Sequence, residues 1–538
     1  MNILLVNPQQ SMSLFTFSEV EDITGCPAYM PNIALPTLAA LAPAGVNVTV
    51  VDEAVDTIDY SRRWDLVGLT GYITQREDMF RIADEFRSRG QLVAIGGPYA
   101  TLSPSTVAPH ADVLFIGEAE PTWPQFIVDF RAGHWKREYR APQVVDLRSS
   151  PVPDITKLNN NAYLMGVVQT SRGCPFECEF CDVIVYLGRK QRHKTPDRVV
   201  QELEQMYDAG YRNVFLSDDN FTANRNKAAQ IMEAIRLWNR SKRERVRFAT
   251  QLSIDVAREH DVPLLDLCVD AGLKQAFVGI ETPDTTALRE VKKRQNLRSN
   301  LVGDIHSLQR RGIMVQAGMI CGFDADTIDS FGVQYDFLQQ AGTPMVSVTM
   351  LNAPEGTPLE GRLREEHRLT LEHMRDAYFA TNIIPKNMTG EQLRRGTQWL
   401  LNRLYRPDAF LERVAVMADN LPSACSLATV SPRAAVIWQR IMRSYEQLGP
   451  DFRRVPKESV KLCRGRDTTG LGTALIFYKS VVQVLRKRGL WDAELARLEV
   501  PDLGAYQESS PTPPINNSTR VSRIQRGRSP NGIGEQSA

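Results

Sequence analysis

Three thiols, Cys174, Cys178 and Cys181, stand four and three residues apart in Thr170-Ser-Arg-Gly-Cys174-Pro-Phe-Glu-Cys178-Glu-Phe-Cys181. Thiolates are soft donors that suit zinc or iron–sulfur clusters. A structural zinc site closes four ligands, commonly as two separated cysteine pairs. No second pair follows here, and the nearest histidine, His193, is twelve residues past Cys181. A cubane cluster held by three thiolates leaves one iron open to a further ligand. Cysteines set among Pro, Glu and Arg are also a poor match for an apolar core run. The spacing therefore favours a 4Fe–4S cluster with an open iron over zinc. Cys26, Cys268, Cys425 and Cys463 lack ligand spacing and read as packing residues. Cys321 reads as a buried strand residue, with a thiol base facing the site as the alternative.

The elements that must position these thiols repeat behind them. Apolar runs at 167–170, 213–216, 246–251, 275–279, 314–320 and 345–350 alternate with helical patterns such as 196–209 and 226–238. Six βα units predict a partial (βα)6 barrel over residues 161–355, reactive at the carboxyl ends of its strands. The cysteines fall in the loop after the first strand. Asp218 and Asp219 follow the second, Gln251 and Ser253 the third, and Glu281 ends the fourth; Gly318 and Ile320 lie on the fifth. Strand-end acids can also merely cap helices.

Residues 1–135 show a second α/β pattern. Runs at 3–6, 48–51, 66–69, 92–95 and 113–116, with helices near 38–41 and 80–86, predict a doubly wound parallel sheet. Ligands of such sheets sit at strand carboxyl ends, here Thr70-Gly71, Gly96-Gly97-Pro98-Tyr99 and Gly117-Glu118. Residues 136–160 read as a polar linker. From 356 to 500 the pattern is helical, with Leu393, Leu400, Leu401 and Leu404 near helix spacing. This segment is available as a lid over a cavity between the two α/β domains. Trp399, Trp438 and Trp491 read as helix-core residues. Residues 501–538 are rich in Pro, Ser, Asn and Gly and are expected to form a disordered tail.

The cysteine spacing, with the aromatic Phe180 before the last thiol, resembles the signature of the radical S-adenosylmethionine (SAM) superfamily. The resemblance implies that the open iron binds SAM. One electron, from a donor such as flavodoxin or ferredoxin, then cleaves SAM to methionine and a 5′-deoxyadenosyl radical. Asp218-Asp219 resembles the motif near the SAM amino group, with Gln251 and Ser253 at the next strand end. Val278-Gly-Ile-Glu281 resembles the ribose-binding strand, and Gly318-Met-Ile320-Cys-Gly322 the adenine-reading strand. No Gly-x-Gly-x-x-Gly follows the first N-terminal strand, which counts against a dinucleotide there. Ala94-Ile-Gly-Gly-Pro-Tyr-Ala-Thr101 and Ile116-Gly-Glu-Ala-Glu120 resemble the cobalamin-binding domain fused to many radical SAM proteins. The Asp-x-His-x-x-Gly motif is absent, and Tyr99 stands where relatives have histidine. The expectation is cobalamin bound without a histidine below cobalt, with His110 a solvated loop residue; a degenerate domain without cobalamin is the alternative. The whole layout is similar to class B radical SAM proteins with a helical C-terminal domain, hopanoid C-2 methylase-like at the narrowest. It implies methyl transfer to an unactivated carbon, such as one of a lipid or other secondary metabolite. A cyclase or oxidase with the same cofactors, or a sensor, is the competing class.

Composition adds limits. The 64 Lys+Arg and 63 Asp+Glu give a net charge of +1, so no general basic field marks a nucleic-acid binder. Residues 1–135 hold 7 Arg, no Lys and 16 acidic residues, a net −9 that leaves +10 for the remainder. Opposite charges could help the two parts dock, or simply reflect separate domains. Eight cysteines are too sparse for a disulfide scaffold. Residues 23–51 carry no charge, but Pro27, Pro31, Pro36 and Pro43 break any membrane helix there. With no basic stretch at its start, the chain is expected to be cytoplasmic and without a transmembrane segment.

Overall fold

A computed structural model describes residues 1–10, 21–142, 144–297, 300–370, 379–424 and 432–500. The tail expected from residue 501 and Cys425 lie outside the described residues. The N-terminal runs pair because each is too apolar to face water on either side. β1 (Asn2–Asn7) lies between β2 (Asn47–Asp52) and β3 (Leu66–Thr70), followed by β4 (Val93–Gly96), β5 (Val113–Ile116) and β6 (Glu138–Arg140). All pairs are parallel, in the order 2-1-3-4-5-6. One face packs on Ile82 and Phe86, the other on Trp123 and Phe126. This is the doubly wound sheet expected, and its strand order reverses at β1, where such sheets bind ligands. β6 lies in the stretch read as a linker. Only its middle residue, Tyr139, is buried, so this short edge strand leaves no apolar run in the sequence.

The second sheet follows the chain: β7 (Gly166–Val168), β10 (Asn213–Leu216), β11 (Arg247–Leu252), β12 (Leu273–Glu281), β13 (Met314–Cys321) and β14 (Met345–Met350) are neighbours in that order, all parallel. That is the six-stranded partial barrel read from the spacing. Between β7 and β10, β8 (Ser171–Arg172) and β9 (Arg192–His193) form an antiparallel clip. The clip closes the base of the cysteine loop, pairing Ser171 with His193 and Arg172 with Arg192. Helices Pro196–Asp208 and Arg225–Ser241 start where Thr195 and Asn224 cap backbone N–H groups, and both bury one face against the sheet.

The C-terminal helices share the barrel's core rather than forming one of their own. Leu393, Leu400, Phe410, Val414 and Tyr478 belong to the same buried cluster as Val278, Val315 and Val346. Arg413 is fully buried and donates to the carbonyls of Thr343 and Leu404; Tyr405 donates to the Val346 carbonyl at 2.6 Å. Trp399 is buried, and Trp438 and Trp491 pack against this core, as their amphipathic stretches predicted. Among the described residues no helix is long and apolar enough to cross a membrane.

Candidate active site

The carboxyl ends of the two sheets face each other across two cavities. The smaller, about 530 Å³, is lined by Gly68, Thr70, Gly71, Gly96, Gly97, Pro98, Gly117 and Glu118 of the first sheet. Across it stand Gln169, Ser217, Asp218, Asp219 and Gln251 of the barrel. Glycine is required at position 97: its φ is +91°, and a Cβ would lie 2.3 Å from Thr70 Oγ1. The larger cavity, about 1010 Å³, is lined by Tyr99, Leu102, Phe180, Ile320, Leu351 and Arg364 among others. Gln10, Tyr72 and Pro98 line both. Tyr99, expected among the cobalamin contacts, therefore faces the larger space. Among the described residues of the helical segment expected as a lid, those that line this cavity lie near its start and include Glu360, His367, Leu369 and Asn382. The helices Gly390–Leu404 and Pro407–Asn420 pack instead on helix Asp329–Ala341.

Charge holds the two domains together here. Glu118 accepts from Arg172 at 2.8 Å, from Arg192 at 2.6 Å and from the Val145 N–H at 2.8 Å; Glu120 pairs with Arg172 at 2.6 Å. Asp52 accepts a hydrogen bond from Tyr163 at 3.0 Å. The acidic N-terminal part thus meets basic residues of the barrel at defined pairs. Burial alone would raise the Glu118 pKa, but Arg172 and Arg192 more than offset that and hold it below the ordinary glutamate value. A depressed carboxylate adds stability above its unfolded pKa and loses it as pH falls through the folded one. Glu118→Gln, which leaves the buried Arg192 and the mostly buried Arg172 short of counter-charge, is expected to cost about 3 kcal/mol at neutral pH. Urea unfolding checks this, and the difference from the parent is expected to shrink below pH 4.5.

The cysteine loop is pinned by neighbouring acids. Asp218, 1% exposed, accepts from Thr170 N at 2.8 Å, Thr170 Oγ1 at 2.6 Å and Ser171 N. Asp219 accepts from Gly173 N at 2.9 Å, one residue before Cys174. Burial pushes both carboxyls up to about 6. Asp218 has spent both oxygens on the loop and so serves as an anchor, although both acids border the smaller cavity.

Three further residues complete this region, of which Asn220 directly follows the Asp218-Asp219 pair and Lys293 and Gln295 belong to no sequence motif. Lys293 pairs with Glu281 at 2.6 Å. Burial would lower its pKa, but Glu281 and Cys178 raise it well above the usual lysine value. Glu281 has a φ of +66° beside a register shift at Gly279, where a Cβ would strike its carboxylate; the strain aims the carboxylate at Lys293. Gln295 donates to Cys178 Sγ at 3.5 Å. Asn220 donates to Ser253 Oγ at 2.6 Å. Lys293 and Gln295 lie outside a recognisable spacing, on a loop whose path only the fold sets.

Two observations test the cofactor set. Burial pushes the Cys174 and Cys181 thiols up, and the nearby Cys178 adds to both. Three soft thiol donors on one short loop are a donor set for an iron–sulfur cluster. Beside it, buried oxygens of Gln191, Asn220, Gln295 and Asn296 have no hydrogen-bond partner. Such orphaned acceptors cost free energy unless a polar ligand reaches them. The donor set and the orphaned atoms fit a cluster with a polar molecule at its open face.

Residues 168–338 match the radical SAM superfamily, and residues 357–455 match a domain of unknown function. An uncharacterised methyltransferase of Synechocystis sp. is 33% identical over 77% of this chain and 78% of its own length. Hopanoid C-2 methylase of Rhodopseudomonas palustris is 30% identical over 76% and 78%. The chain belongs to the radical SAM superfamily. The fold agrees: the cobalamin-dependent SAM radical enzyme OxsB superposes with a TM-score of 0.60 at 14% identity, covering 90% of this chain and 80% of that one. The radical SAM methyltransferase TsrM from Kitasatospora setae gives 0.56 at 17%, covering 68% and 76%. In this radical SAM chain the expected residues Asp218, Asp219 and Gln251 line the smaller cavity, and Phe180 and Ile320 the larger. Ser253, Glu281 and Gly318 border neither but stand at the same strand ends.

Proposed function

We propose that this radical SAM protein is a cobalamin-dependent methyltransferase that places a methyl group on an unactivated carbon of a lipid-like or other secondary-metabolite substrate. The observation that carries the reading is the pair of adjoining cavities beside the three-cysteine loop: one has a glycine-rich floor, and the other is large enough for a sizeable substrate. Names among its relatives, hopanoid C-2 methylase and bacteriochlorophyllide methyltransferases of Chlorobaculum tepidum, support methyl transfer to large apolar molecules.

When bound, SAM on the cluster supplies a hydrogen-abstracting radical and cobalamin supplies the methyl group. The chain's own part is to hold these partners in line and exclude water. Cys174, Cys178 and Cys181 would ligate the cluster. Asp219, Gln251, Ser253, Glu281 with Lys293, Gly318, Ile320 and Phe180 would hold SAM. Thr70, Gly71, Gly96, Gly97, Pro98 and Gly117 would floor the cobalamin site, with Glu118 fixing that floor to the barrel. The electron would come from a donor such as flavodoxin or ferredoxin, in the cytoplasm.

Turnover with methyl-labelled SAM, a reductant and candidate lipid substrates tests the reading. Labelled product, 5′-deoxyadenosine and S-adenosylhomocysteine are expected together. Deoxyadenosine with a desaturated or cyclised, unlabelled product would sink it in favour of ring closure. The cobalt is also expected to carry no protein histidine. His110 is engaged by Asp84 at 2.9 Å and stacked on Phe80, and it lines neither cavity. Electron paramagnetic resonance of the reduced cobalamin is expected to lack nitrogen superhyperfine splitting; a splitting lost in His110→Ala would contradict this.

A further inference from the structure

Among the described residues Gln10, Tyr72 and Pro98 line both cavities and so stand where the two adjoin. Pro98 begins a helix and cannot swing. The Gln10 amide is tied to Thr74 Oγ1 at 3.0 Å. Tyr72 differs from both. Its backbone is locked, since Gln75 accepts from the Tyr72 N–H at 3.0 Å and itself donates to the Pro8 carbonyl at 2.6 Å. The preceding carbonyl, Gly71, accepts from Tyr99 N at 3.1 Å. Yet the Tyr72 side chain is 49% exposed. A rigid backbone presenting an aromatic ring to both of two adjoining spaces is the arrangement of a partition.

The far side of this boundary is equally fixed. The Tyr72 hydroxyl meets the side chain of Tyr186, which ends the short helix after Cys181 and faces Asp182, Asp219 and Cys181. Arg192 holds the next carbonyl, Leu187, at 2.9 Å while pairing with Glu118. The tyrosine pair therefore links the floor of the smaller cavity to the cysteine loop.

We infer that Tyr72, braced by Tyr186, is a positioning residue that partitions the two cavities and sets the approach of the substrate carbon to the methyl-donating cofactor. The inference rests on the methyltransferase reading. A carbon radical reacts with whatever group it first meets, so an ångström of misplacement can cost orders of magnitude in the intended reaction. Removing the ring is expected to leave radical generation intact and to spoil its coupling to methylation.

The test uses the fully loaded enzyme and Tyr72→Ala, Tyr72→Phe and Tyr186→Phe variants with iron and cobalamin contents matched to the parent. The first readout is the rate at which cyanide coordinates bound aquacobalamin, which needs no turnover. It is expected to rise at least about fivefold in Tyr72→Ala, because the partition is removed. The second is the ratio of methylated product to 5′-deoxyadenosine, expected to fall about tenfold in Tyr72→Ala and about threefold in the two Phe variants. Parent-like values of both readouts in Tyr72→Ala overturn the inference. If Tyr72→Ala does not fold, parent-like ratios in both Phe variants overturn it. Parent enzyme that makes deoxyadenosine but no labelled product defeats the methyltransferase reading instead, and the cyanide rates then decide whether Tyr72 is a partition. A parent that takes up no cobalamin overturns both.

Discussion

Alanine at any one of Cys174, Cys178 or Cys181 is expected to abolish the broad absorbance near roughly 400 nm of the anaerobically reconstituted protein and all 5′-deoxyadenosine formation. Three thiolates are the fewest that hold a cubane while leaving one iron open, so the loss of one leaves no spare ligand. The acids around the loop are engaged elsewhere: Glu177 pairs with Arg189, Glu179 with Lys292 and Arg362, and Asp218 and Asp219 hold backbone N–H groups of residues 170–173. Iron and sulfide analysis with the folded state followed by circular dichroism checks the outcome. Stoichiometric zinc without iron in the anaerobically purified parent protein would refute it.

Asp218→Ala is expected to be nearly as damaging, although no thiol is touched. The side chain is 1% exposed and accepts three hydrogen bonds from Thr170 and Ser171. Its removal strands three buried donors, each costing on the order of 1 kcal/mol or more, so a loss of about 3 kcal/mol is expected. Because those donors begin the cysteine loop, the iron content after reconstitution is expected to fall as well. Asp218→Asn keeps one acceptor oxygen and is expected to lie between. Parent-like iron content and thermal midpoint in Asp218→Ala would show that the loop is held by something else, such as the β8–β9 clip.

Some roles depend on what a side chain meets across the chain. Glu118 follows a strand-end glycine, where a ligand contact is the natural reading. In the fold its oxygens also meet Arg172 and Arg192, 54 and 74 residues away, while it borders the smaller cavity. Asp218 and Asp219 read alike as neighbours in one motif. Both border that cavity, but Asp218 holds Thr170 and Ser171 while Asp219 holds Gly173, a division set by the loop's path. Lys293 was invisible for the same reason: only the bulge at Gly279 and the strained Glu281 bring it to its partner.

The sequence by itself determined the elements and the chemistry. Apolar runs that cannot face water had to pair as buried parallel strands, and alternation with helices had to place their carboxyl ends on one side. Three thiols at fixed short spacing carry their meaning locally, whatever surrounds them. Only the tertiary structure decided how the two α/β domains meet, that Tyr72 stands where the two cavities adjoin, and that the helical segment mostly buttresses the barrel. Those outcomes turn on contacts between residues far apart in the chain, set by packing and charge at an interface that no local pattern encodes.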